Sequence, residues 1–85
     1  MADEDVGVLA SLPGWTVEES VATFAPLAHG WRAVVRHIPV PGKRYRVWHV
    51  VLLRPSGAAE YARTMPFLGD ARRLAEGLVR AQQPA

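Results

Sequence analysis

Five arginines and one tryptophan carry the most legible chemistry in this sequence. Arg32 and Arg36 lie in one alternating stretch, and Arg44, Arg46 and Arg54 surround Trp48 in the next. Guanidinium groups contact phosphates, and an exposed indole stacks on a base, so this combination can serve a nucleic acid. Between the charges stand Val34, Val50 and Leu52. If the two stretches are paired strands whose even-numbered residues share a face, then Arg32, Val34, Arg36, Arg44, Arg46, Trp48, Val50, Leu52 and Arg54 form one surface with an apolar centre. An apolar centre with an aromatic anchor and a charged rim suits another protein chain. The leading expectation is therefore a non-enzymatic protein-interaction domain, self-associating as a homo-oligomer or acting as an accessory subunit. Binding of RNA or DNA through the basic aromatic sheet face is the alternative.

Other constellations carry less. His37 and His49 sit on neighbouring stretches and would need to approach each other to act together, while His29 adjoins the turn at Gly30. No carboxylate completes a local metal-ligand or acid–base set around them. Ser20 and Ser56 lack the flanking pattern of an activated nucleophile, and Ser56 reads as a turn residue. The glycines are dispersed among separate turns, with no phosphate-cradling loop and no dinucleotide fingerprint, so no cofactor is expected. Trp31, Tyr45, His49 and Phe67 are conceivable lining for a cavity between sheet and helix, although core packing explains large side chains there more economically.

The elements that must position these residues follow from periodicity. Residues 44–54 alternate most clearly, with Tyr45, Val47, His49, Val51 and Leu53 at odd positions and an even-numbered set that is basic at both ends and apolar in the middle. The longer apolar run marks the odd face as the one turned to the core. Residues 31–40 read as its extended neighbour, separated by Pro39, Pro41 and Gly42-Lys43, and residues 58–63 as a short returning strand after Pro55-Ser56-Gly57. From Gly69-Asp70 onward, Ala71, Leu74, Ala75, Leu78 and Val79 recur at helical spacing and supply the cover. Arg72, Glu76 and Arg80 stand four apart on its polar face, and Gly77 allows a close approach to the sheet.

Residues 16–28 admit two readings. Thr16 with Glu19 has capping-box spacing, and Val17, Val21, Phe24, Ala25 and Ala28 recur helically, which favours a short helix. Alternating Trp15 and Val17 support an edge strand instead. The expected architecture is α+β: a three- or four-stranded antiparallel sheet covered by a C-terminal amphipathic helix, with a short N-terminal helix. That order of elements resembles the double-stranded-RNA-binding domains, but the lysine cluster of their terminal helix has no counterpart here. The resemblance transfers no site residue.

Eighty-five residues, 49% of them apolar, suffice for a single core. Residues 14–82 are expected to form that domain, between a flexible acidic segment at 1–13 and a frayed tail at 83–85. Residues 1–30 carry five acids and no lysine or arginine, whereas residues 31–85 carry ten basic residues and three acids. The resulting −5 and +7 can steer an anionic partner or hold the two parts together. No cysteine is present, a secretory leader pattern is lacking, and no apolar run is long enough to span a bilayer. A cytoplasmic protein without membrane contact is expected on those grounds.

Overall fold

The computed structural model describes residues 6–82, so Asp3, Glu4 and Asp5 and the tail at 83–85 lie outside the described residues. A 3-10 helix at Val6–Ser11 is followed by strands Trp15–Glu18 (β1), Val21–Phe24 (β2), Arg32–Pro39 (β3), Arg46–Leu53 (β4) and Ala59–Met65 (β5), and by the helix Leu68–Arg80 (α1). The strands form one antiparallel meander in the order β1-β2-β3-β4-β5. The chain is thus α+β with an antiparallel sheet and a C-terminal helix, and the sheet has five strands where three or four were expected. Val6 and Leu9 are buried in the same core, which therefore begins upstream of residue 14.

The additional strands occupy the stretch for which a helix was favoured. Trp15 pairs with Phe24 and Glu18 with Val21, leaving Glu19-Ser20 as a two-residue turn. Both turn residues have left-handed backbone, with φ of 49° and 68°, as a type I′ hairpin requires. This turn aligns the alternating Trp15, Val17, Ala22 and Phe24 with the core and defeats the helical spacing. It also removes the N-terminal helix on which the resemblance in element order rested. Non-glycine residues occupy left-handed backbone at a cost of about 1–2 kcal/mol. Replacing Glu19-Ser20 by Asn-Gly is expected to stabilise the domain by about 1 kcal/mol, raising Tm by about 4–8 °C in a thermal melt.

The face assignment of the two long strands is also corrected. Their register pairs Arg32 with Leu53, Val34 with Val51, Arg36 with His49 and Ile38 with Val47. Even positions of β3 therefore share a face with odd positions of β4. The core lies on the other face, where Ala33 and Val35 meet Trp48, Val50 and Leu52, all fully or nearly fully buried. The basic ends of the even-numbered set on β4 do not prevent this. Arg44, Arg46 and Arg54 are all exposed, at or just beyond the two ends of β4, while the buried residues lie between them.

Leu68, Ala71, Ala75 and Val79 bury the apolar stripe of α1, with Leu74 and Leu78 packed beside them. Alanine at the contact lets the helix lie close to the sheet while Trp48, Phe24 and Leu52 fill the volume. Gly77 plays no part in that approach, since a side chain there would meet nothing within 4 Å. Glu76 instead ties α1 to the N-terminal hairpin. Its Oε2 accepts a 2.8 Å hydrogen bond from Trp15 Nε1, and its carboxylate lies 3.5 Å from Arg72 and 3.8 Å from Arg80. The Trp15 ring packs tilted against Phe24 with centroids 5.1 Å apart, and the Arg80 guanidinium sits 5.3 Å above Phe24. A largely buried carboxylate that accepts from Trp15 and Arg72 and has Arg80 nearby is well satisfied, which is what permits it there.

Candidate interaction surface

With α1 on one side, the sheet leaves its second face uncovered among the described residues. The register places on it Val21 and Thr23 from β2, Arg32, Val34, Arg36 and Ile38 from β3, and Val47, His49, Val51 and Leu53 from β4. Ala62 and Thr64 of β5 extend the same face, opposite Val51 and His49. Alternation explains the composition: β3 and β4 are central strands with apolar residues at both parities, so covering one face leaves a second apolar stripe. Val34, Ile38, Val47, Val51 and Leu53 are each only partly buried.

Val34, Arg36, His49, Val51 and Leu53 line an open depression of about 130 Å³ on this face. Its floor is aliphatic. Arg36 and His49 are register partners at one side, and Arg32 lies opposite Leu53 at the other. Neither Arg36 nor Arg32 has a carboxylate within ion-pair distance among the described residues, whereas Arg54, Arg72, Arg73 and Arg80 are all paired with acids. The arrangement can accept an apolar side chain on the sheet and a carboxylate at its rim.

The surface expected from the sequence divides into three groups. Arg32, Val34 and Arg36 lie on the open face. Trp48, Val50 and Leu52 lie in the core, with Trp48 stacked on His37 at 4.0 Å and 9°. Arg44 is exposed in the turn, Arg46 Nη1 donates to the His37 carbonyl, and Arg54 pairs with Glu60. The residues that replace the core trio on the open face are Val47, His49, Val51 and Leu53, visible as the odd-numbered set of the same strand. A buried indole has no face to offer a base, so the stacking role expected for Trp48 does not hold.

The remaining candidates are also dispersed. His37 projects on the helix face and His49 on the open face, so they do not meet across the strands. Tyr45 and Phe67 are exposed, Trp31 packs against the core edge, and these residues with His49 enclose no common cavity. Ser56 Oγ accepts a hydrogen bond from the Ala58 amide, as a turn residue does. Among the described residues, no three histidine or carboxylate side chains stand together as metal ligands, and no helix is long and apolar enough to cross a membrane. No protein-family model, curated protein or solved structure matches the chain.

Proposed function

We propose that this chain is a non-enzymatic protein-interaction domain, a self-associating or accessory subunit, whose binding surface is the open face of β3 and β4. The observation that carries this reading is the aliphatic stripe of Val34, Val47, Val51 and Leu53, left uncovered around a depression rimmed by Arg36 and His49. Covering such a stripe removes apolar surface from water, and an arginine at its border selects for an acid in the partner. The favoured ligand is a protein segment presenting aliphatic or aromatic side chains with an aspartate or glutamate beside them.

Panning a random peptide library against the purified protein tests this directly. Peptides combining apolar residues with a neighbouring acid are expected to be enriched, and Val51→Asp should abolish their binding. As a substitution on the partly exposed face of a strand, Val51→Asp should itself cost only about 1 kcal/mol of stability. Arg36→Ala should lower affinity by about tenfold, a value within the range for a charge-assisted hydrogen bond. No enrichment, or peptides that bind Val51→Asp equally well, would remove the open face as the binding surface. Oligonucleotide binding that weakens with salt and with Arg36→Ala, but is indifferent to Val51→Asp, would reassign the surface to nucleic-acid backbone contact.

A further inference from the structure

We infer that the far end of the β3–β4 hairpin is a finger that enters the major groove of duplex DNA, with Lys43, Arg44 and Arg46 at its tip contacting phosphates. The tip shares no residue with the depression on the open face, so either surface can fail without the other.

The hairpin outruns the rest of the sheet. β2 pairs with β3 only as far as Arg36, and β5 pairs with β4 only as far as Trp48, the register partner of His37. Beyond that level the two strands run on alone, pairing Ile38 with Val47 and Pro39 with Arg46 and closing on the 3.3 Å hydrogen bond from Val40 N–H to the Tyr45 carbonyl. Three residue steps of strand carry this ribbon about 10 Å past its neighbours before the turn begins. The major groove of B-DNA is about 12 Å wide and 8.5 Å deep and admits a two-stranded ribbon, so the free length matches the depth to be filled. The finger is also held in one shape. His37 stacks on the buried Trp48 at its root, Arg46 Nη1 donates to the His37 carbonyl at 3.2 Å, and Pro39 and Pro41 have fixed φ angles. Little conformational freedom is therefore lost on binding.

Charge selects the partner. No aspartate or glutamate stands between Ser20 and Glu60, a stretch that holds six lysines and arginines. Residues 41–46 are all exposed, and Lys43, Arg44 and Arg46 have no carboxylate within ion-pair distance among the described residues. Glu18 and Glu19 belong to the β1–β2 hairpin, whose strand pairing ends level with Arg36, so they flank the root and leave the tip cationic. Three unpaired cations at the end of a bare ribbon fit a polyanion that presents phosphates along both walls of a groove. An anionic bilayer would be engaged through large apolar residues, whereas the turn reads Pro41-Gly42-Lys43-Arg44. Duplex RNA is disfavoured because its A-form major groove is deep and narrow.

Fluorescence anisotropy of a short labelled DNA duplex, titrated with the full chain, tests the finger. Log affinity should fall with log salt at a slope of about −3, the value for three phosphate contacts. The double variant Lys43→Ala/Arg44→Ala, in an exposed turn, should keep the wild-type circular dichroism, bring the slope to about −1 and lower affinity at least about tenfold. Arg36→Ala at the root and Arg73→Ala on α1 should change affinity by less than about twofold at physiological salt, where charges more than about 8 Å from a contact are screened. Wild-type protein should protect guanine N7, which faces the major groove, from methylation by dimethyl sulfate, and the double variant should not. Duplex RNA of the same sequence should bind at least about fivefold more weakly. No binding at low salt, a double variant that binds like wild type, an unprotected N7, or RNA bound as tightly as DNA would each overturn the finger. An Arg36→Ala loss as large as that of the double variant would move the contact to the open face. Displacement of the duplex by anionic lipid vesicles would reassign the tip to a membrane surface.

Discussion

Trp48→Ala is expected to lower the free energy of unfolding by about 3–5 kcal/mol, the range for removing a large aromatic side chain from a packed core. Trp48 is 3% exposed, stacks on His37, and lies between His37 and Met65 across the sheet. A domain of this length has roughly 4–13 kcal/mol of total stability, so the loss removes a large share of it. Urea denaturation followed by tryptophan fluorescence and circular dichroism should show an early midpoint or a protein already unfolded in buffer. Val51→Asp, on the same strand three residues away, should retain most of the wild-type stability. The contrast tests which face α1 covers. If Trp48→Ala changed association while leaving the unfolding midpoint near wild type, the helix would have to lie on the odd-numbered face of β4.

The sequence displays the alternation of β4 and the stripe of α1 plainly, yet it does not say which parity of β4 is inside. Both sets are apolar at their centre: Val47, Val51 and Leu53 on one, Trp48, Val50 and Leu52 on the other. Continuity of the apolar run favoured the odd set, because arginines flank the even one. Those arginines stand exposed at the two ends of the set, so their charge carries no information about the centre. The parity of β3 against β4 depends on something equally hidden, the number of residues in the turn. Val40 N–H donates to the Tyr45 carbonyl, closing a turn of four residues, 41–44. A turn of three or five would have put even with even, gathering Arg32, Arg36 and Trp48 onto one surface. Pro41 and Gly42 announce a turn without fixing its length.

The N-terminal hairpin was hidden for a different reason. Its two-residue turn is made by Glu19 and Ser20, neither of which advertises a positive φ as Asn-Gly does. Helical spacing of the flanking apolar residues then competes with strand alternation over segments of only four residues, where periodicity discriminates poorly. The open face, by contrast, was misidentified on β4 alone, through the length of the 41–44 turn and the parity of that strand, although its residues were already separated from the core set by alternation. What survives from sequence to structure is the physical demand: two central strands with apolar residues at both parities, and one helix to cover them.

Gly14→Ala is expected to destabilise the domain by about 2–4 kcal/mol, combining left-handed backbone with steric crowding. Gly14 has φ of +84° where the chain passes from the 3-10 helix into β1, and its carbonyl accepts the Ala25 amide at 3.0 Å. A methyl group there would stand 2.8 Å from Pro26 Cβ and 2.9 Å from Phe24 Cε1. Neither neighbour yields cheaply: one belongs to a proline ring, and the other to a fully buried ring held between Trp15 and Arg80. Gly42 provides the comparison, since its φ is +77° but a side chain would meet nothing within 4 Å. Gly42→Ala should therefore cost only the backbone contribution, about 1–2 kcal/mol. Urea denaturation of the two variants separates the terms. Equal losses would mean that Phe24 and Pro26 do not press on Gly14, and that the 3-10 helix meets the sheet by a looser path. A larger loss at Gly14 places that close approach among the contacts that orient β1, and with it the Trp15–Glu76 bond that fastens α1 over the core.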